Sequence, residues 1–304
     1  MDESLTLSEE LMLQASELIS AVMPLLPEQG GDIDWSVCPV AMWRSRGKEG
    51  YLEPILETPA VRLEDLIGVD QQREKLVQNT LQFLAGFPAN NVLLSGSRGT
   101  GKSSLVQALL NQFFQQGLRV IQVDKQDLSN LLHIIDDIRG EAYRFIIFCD
   151  DLSFESDEDG YKSLKSALDG ALYAAPANVL IYATSNRRHL LPEYLKENAE
   201  STVRGGEIHH GEAVEEKISL SDRFGLWLTF YPIPQAVFLE TAAHWIANLA
   251  ARYNAEIPWN DEVSKACIRW GMTRGNRSGR SANQFAKHWV GQQLLASKAA
   301  SPEE

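Results

Sequence analysis

The sequence predicts an α/β fold: a parallel sheet flanked by helices, followed by a small domain made only of helices. Three observations predict it. Short apolar runs at Val92–Ser95, Leu118–Val123, Arg144–Cys149, Asn178–Thr184 and Leu226–Phe230 alternate with stretches of helical spacing, the pattern of strands joined by helical crossovers. The run Arg144–Cys149 is nearly all apolar, as expected of a central strand covered on both faces. Beyond Pro232 and Pro234 the spacing is helical throughout. These shifts divide the chain into an extension (1–60), an α/β core (61–231) and a helical domain (232–304).

The extension begins with Thr6 and Glu9 spaced as a capping box, and Leu11, Ala15, Leu18 and Val22 on one helical face before Pro24. Val40–Trp43 and Tyr51–Leu52 read as short strands, with Trp35, Trp43 and Tyr51 as core or docking aromatics. A helix is predicted from about Gln71 to Leu84, ended by Gly86 and Pro88. The apolar run at Val92 leads into Gly96-Ser97-Arg98-Gly99-Thr100-Gly101-Lys102-Ser103-Ser104, then into Leu105, Ala108, Leu109 and Phe113 at helical spacing. Gly117 caps that helix. Asp127–Ile138 reads as one short helix, and another follows the acidic stretch Ser153–Asp159, to about Tyr173. Glu193–Glu216 reads as an exposed loop or insertion; its adjacent His209 and His210 lack the further ligands a metal would need. Three helices close the chain. They carry Phe238, Ala242, Trp245, Ile246 and Leu249 in the first, Asp261–Trp270 as the second, and Ala282, Phe285, Trp289 and Leu294 in the third.

The stretch Gly96–Ser103 fits Gly-x-x-x-x-Gly-Lys-Ser/Thr and lies between a strand and a helix, where a phosphate-binding loop must lie. Each residue type has a physical role. Glycines let the backbone curl so that successive N–H groups face phosphate oxygens. The helix that follows adds the partial positive charge of its N-terminus. Lys102 would bridge the β- and γ-phosphates, and the Ser103 hydroxyl would ligate Mg²⁺. The run ending in Asp150-Asp151 matches the second half of such a site, since an aspartate at a strand end can hold Mg²⁺ beside the phosphates. The expected ligands are therefore ATP and Mg²⁺, the metal held by Ser103 and Asp150.

Composition bounds the rest. The chain has 304 residues, 44% of them hydrophobic, which is enough for a sizeable core. Its net charge of −13 disfavours nonspecific nucleic-acid binding, because phosphate backbones repel it. The three cysteines are far apart and form no Cys-x-x-Cys, so neither a disulfide framework nor a zinc site is indicated. No signal peptide or membrane-length apolar span is evident, and the expectation is a soluble, cytoplasmic protein.

With both motifs in place, the chain resembles the AAA+ ATPases over about residues 61–295. Leu66-Ile67-Gly68 resembles the stretch before the first core helix, which implies that Ile67 and Gly68 pack near adenine. By the same resemblance Asn186 matches the residue that orients the attacking water. Arg223, in Ser-Asp-Arg-Phe, matches the arginine finger reaching a neighbouring subunit's γ-phosphate. Arg280, with Arg277 as the alternative, matches the arginine of the helical lid. The wording is closer still to a bacterial AAA+ family designated domain of unknown function 815, through Asn91–Ser104, Phe148–Glu155, Asn178–Tyr194 and Gly211–Phe230. The resemblance implies an ATPase that works as a homo-oligomer, a ring or hexamer, while the acidic charge points to a protein client, with nucleic acid not expected as a partner.

Two departures from the family pattern stand out. The second acid of the Asp150-Asp151 pair is ordinarily glutamate. Aspartate is one methylene shorter, so its reach to a water is reduced. Threading unfoldases of this class carry an aromatic pore loop after the second strand, yet Asp124–Ala142 contains no Phe, Trp or Tyr. The alternative implied is a nucleotide-gated loader or adaptor with little hydrolysis.

Overall fold

The structure is a computed structural model of the 304-residue chain. It describes residues 12, 14, 32–46, 49–152, 159–169, 176–186, 202–204, 207–209, 220 and 222–300. Most of the helix expected at Thr6–Val22, most of the acidic stretch after Ser153, most of Glu193–Glu216 and the last four residues lie outside the described set.

Nine strands are described: β1 (Val40–Arg46), β2 (Glu49–Ile55), β3 (Val92–Gly96), β4 (Leu118–Val123), β5 (Arg144–Cys149), β6 (Val179–Ser185), β7 (Thr202–Arg204), β8 (Glu207–His209) and β9 (Leu226–Phe230). The α-helices are α1 (Asp70–Leu84), α2 (Lys102–Phe113), α3 (Leu131–Ile138), α4 (Asp159–Asp169), α5 (Gln235–Arg252), α6 (Asp261–Thr273) and α7 (Gly279–Ala300). Seven strands form one sheet in the order β2-β1-β4-β5-β6-β3-β9, and β7 pairs with β8 apart from it. Every pair in the large sheet is parallel except β1 with β2.

The apolar runs are strands because both sheet faces are covered. Phe145, Ile147 and Cys149 of β5 enter one core cluster, while Ile146 and Phe148 enter the other. The first cluster lies under α3 and α4, and the second under α1 and α2. Side chains alternate across a strand, so a doubly covered strand must be apolar at every position. Each fully buried Leu, Ile or Phe contributes roughly 1.5–3 kcal/mol.

Residues 40–55, assigned to the extension from sequence, supply the last two strands of this sheet. Both strands are longer than expected. Val40, Ala41 and Met42 pair with Val120, Ile121 and Gln122, covering an edge of β4 that would otherwise be bare. Trp35 and Trp43 are buried in the first cluster, and the Trp35 ring meets Phe145 edge-on at 4.8 Å. The buried Arg119 guanidinium ties this segment down by donating through Nε to the Trp35 carbonyl at 2.6 Å.

The helix expected over Asp127–Ile138 is in fact two elements, a 3-10 segment at Lys125–Asn130 and then α3. Leu128 and Leu131 are both buried, and the tighter first turn delivers them to the same core. The helical domain has its own cluster, with Phe238, Ile246, Cys267, Phe285 and Val290 buried among α5, α6 and α7. Among the described residues no helix is long and apolar enough to cross a membrane.

Candidate nucleotide-binding cleft

β3 ends at Gly96, and the backbone turns through a loop that opens α2 at Lys102. Three glycines make the turn possible. Gly96, Gly99 and Gly101 have φ of +127°, +74° and +98°, values that side-chain-bearing residues rarely adopt. At Gly96 the fit is absolute, since a Cβ there would lie 2.0 Å from the Phe230 carbonyl oxygen of β9. The Thr100 hydroxyl closes the loop by donating to the Ser97 carbonyl at 2.8 Å.

Lys102 reaches back over this loop. Its Nζ donates to the carbonyls of Gly96 and Ser97, both at 2.8 Å, and to Asn186 Oδ1 at 3.0 Å. Burial pushes its ammonium below the usual value, opposed by the nearby charges of Asp150 and Asp151. Parallel pairing of β3 with β6 and β6 with β5 sets these partners side by side at the strand ends.

Asp150 follows β5. Its Oδ1 accepts from Ser103 Oγ at 2.7 Å and from Thr184 Oγ1 at 2.5 Å. Both hydroxyls go to one oxygen, which leaves Oδ2 without a protein donor among the described residues. Asp151 has φ +53°, a left-handed conformation that aspartate tolerates better than most residues. Its amide donates to Thr184 Oγ1 at 2.8 Å. Its carboxylate accepts from Asn186 Nδ2 and lies 3.9 Å from Arg98. Lys102, Asn186 and Asp151 thus form one arm of a contact network and Ser103, Asp150 and Thr184 the other, joined where the Asp151 amide donates to Thr184.

The cleft above these groups has a volume of about 870 Å³. The core side contributes Leu66, Ile67 and the loop Arg98–Ser104; the helical side contributes Ile233, Trp245, Arg280 and Lys287. Gly68 lies behind Ile67 with φ +78°, and a Cβ there would meet Val237 of α5 at 2.6 Å. The helical domain also touches the loop itself: the Gly279 amide, at the start of α7, donates to the Gly99 carbonyl at 2.8 Å.

Sequence reasoning named most of this constellation. The structure brings Lys102, Ser103, Asp150, Asp151, Asn186, Arg280 and Ile67 together around one cleft. Between the two arginines considered for the lid, Arg280 lines the cleft, whereas Arg277 packs its side chain beside Gly271 of α6. Arg223 is elsewhere. Leu226 pairs with Val92 and Phe230 with Gly96, so the turn holding Arg223 lies at the opposite end of β9 from the loop. At about 3.3 Å per residue, that is more than about 15 Å from this chain's own cleft.

Thr184 was missed. Its signal was a hydroxyl near the end of an otherwise apolar strand, two residues before Asn186. Asp65, His244 and Asn248 were also missed, because they meet only through the fold.

The parallel sheet, the glycine loop at the end of β3 and the helices beside the cleft define a protein of the AAA+ fold. The chain belongs to the family described as "Protein of unknown function (DUF815)", whose profile matches residues 36–293. Thermotoga maritima RuvB, described as a Holliday junction branch migration motor, has a similar structure, with 19% identity and a TM-score of 0.50 over 78% of this chain and 66% of that one. A RuvB mutant from the same organism gives 18% identity and a TM-score of 0.52, over 78% and 67%. The replication initiator DnaA, bound to AMPPCP and single-stranded DNA, gives 18% and 0.48, over 80% and 69%. This chain therefore spans just under two thirds of the first RuvB structure. No curated protein matches it.

Proposed function

We propose that the protein is an oligomeric ATPase that couples ATP binding and hydrolysis to remodelling of a protein partner. One observation carries the reading: Lys102, Ser103, Asp150, Asp151 and Asn186 converge, through contacts of 2.5–3.0 Å, on the floor of a cleft roofed by a separate helical domain. The residues suit the ligands. The loop's glycines allow the left-handed turns that can aim successive N–H groups at phosphate, and Ser103 and Asp150 present the oxygen donors that Mg²⁺ prefers.

In this reading Ser103 and Asp150 hold Mg²⁺, which when bound neutralises phosphate charge. Lys102 turns its ammonium from the loop carbonyls to phosphate oxygens. Asn186 and Asp151 hold the attacking water between an amide and a carboxylate. Arg280 approaches from the helical side, so its contact depends on the angle of that domain. Arg223, too far from its own cleft, serves that of the next subunit in a ring.

The position of Asp151 favours a second reading, a nucleotide-gated switch with little turnover. Its short carboxylate is already engaged by Asn186. The test is phosphate release by the wild type, Lys102→Ala, Asp151→Asn and Asp151→Glu, alongside light scattering with ATP and ADP. A motor assembles with ATP, and Lys102→Ala reduces its turnover by roughly a hundredfold or more. Asp151→Glu then raises turnover. A wild type that binds ATP and releases no phosphate would overturn the motor and leave the switch. The acidic charge argued against nucleic acid, but the likeness to RuvB gives that argument no support. DNA-stimulated phosphate release belongs in the same assay.

A further inference from the structure

Asp65 is the most heavily coordinated carboxylate at the junction of the two domains. It ends the 3-10 segment Leu63–Asp65, directly before the cleft-lining Leu66 and Ile67, and is 4% exposed. Its Oδ2 accepts from its own segment, the Arg62 amide at 2.9 Å. Its Oδ1 accepts from Arg62 at 3.3 Å and, across the junction, from His244 Nε2 at 2.8 Å and Asn248 Nδ2 at 3.2 Å. A carboxylate can only accept, so His244 bonds Asp65 when its proton is on Nε2, the same nitrogen that Asn248 Nδ2 approaches at 2.9 Å. His244 and Asn248 stand one turn apart on α5, beside the stripe Thr241, Trp245 and Leu249 that lines the cleft.

α5 is therefore seated on residues 65–68 at two places. Val237, in its first turn, packs on Gly68. His244 and Asn248, roughly 10–16 Å further along at 1.5 Å per residue, hold Asp65. The two seats differ in kind. An apolar contact excludes water, whereas water can replace the donors of a carboxylate when a seam opens. The polar seat is the one able to part and re-form.

We infer that Asp65, His244 and Asn248 form a latch that positions α5 over the base end of the cleft and sets how long a nucleotide is retained. The inference rests on the reading of this cleft as a nucleotide site. The three act through α5 and the 65–68 segment, so they are positioning residues. The phosphate end has a separate seam, Gly99 to Gly279, which the latch does not include.

The test is the dissociation rate of a fluorescent ADP analogue from the full chain, measured by rapid mixing and paired with thermal melting. His244→Leu and Asn248→Ala are expected to speed release roughly tenfold, the worth of one charge-assisted hydrogen bond. His244→Gln retains an N–H donor and is expected to recover part of the loss, an outcome that a purely structural role would not produce. Asn248 is partly exposed, so its variant serves if His244→Leu fails to fold. Unchanged release from folded variants that still bind the analogue would overturn the latch alone, as would a glutamine no better than leucine. A wild type that binds no nucleotide would overturn the cleft reading and the latch with it.

Discussion

The core wall of the cleft is bonded within itself, whereas the helical wall presents cations with no hydrogen-bonding or ion-pair partner among the described residues. On the core side, Lys102, Ser103, Asp150, Asp151, Thr184 and Asn186 are linked in one network at adjacent strand ends. Across from them stand Arg252, Arg280 and Lys287 of α5 and α7. The reason is architectural. Strand ends in a parallel sheet are held about 4.8 Å apart by the ladder, so side chains one strand over meet at fixed distances. Helices in a second domain meet the site only as far as the junction brings them. The core wall is preorganised, and the helical wall responds to domain angle.

Thr184 gives the sharpest way to break this contrast. Thr184→Val keeps shape but removes the donor to Asp150 and the acceptor for the Asp151 amide. If Asp150 holds Mg²⁺ as proposed, Thr184 stands behind a metal ligand, and such partners typically contribute 10–100-fold. Phosphate release should fall by about that range, and denaturant titration should show a loss of roughly 1–3 kcal/mol. An unchanged rate would mean that the core wall does not need its internal bonds.

A smaller effect is expected on the opposite wall. Arg280→Ala removes a cation that has no partner to orphan among the described residues, so stability should hold. Turnover should fall by about tenfold, the lower end of a charge-assisted hydrogen bond, and nucleotide affinity should fall less. Equal losses in both would place Arg280 in ground-state binding alone.

The smallest effect lies at the junction between the walls. Burial pushes the Asp65 carboxyl up, but donation from His244 and Arg62 outweighs it and holds the pKa below the usual aspartate value. A lowered folded-state pKa contributes stability that is fully present above the unfolded pKa of about 3.9 and is lost as pH falls through the folded value. Asp65→Asn should therefore flatten the acid limb of a thermal-melt profile and leave its slope near neutral pH unchanged. An acid limb identical to that of the wild type would show that Asp65 binds protons alike in both states.

What could be read in advance depended on distance along the chain. Gly96 to Ser104 is one run, and its demands are those of consecutive backbone units: left-handed glycines, then a helix start. Asp150 could be read because a carboxylate at the end of a five-residue apolar run is itself an unusual pattern. The sheet followed from alternation, and the helical domain from its 3.6-residue spacing. One error was local, a 3-10 turn read as the first turn of α3; the other was not, since the pairing of β1 with β4 joins residues about 80 positions apart.

By itself, then, the sequence determined β3, β4, β5, β6 and β9, the glycine loop and the acids at the end of β5, because each is a property of neighbouring residues. Only the tertiary structure placed Thr184 against Asp150, seated Gly279 on Gly99, set Arg280 rather than Arg277 on the cleft wall and joined Asp65 to His244, 179 residues away. Those contacts depend on strand order and on how a second domain docks. Nothing in a residue's sequence neighbours records which distant backbone will come within 3 Å of it.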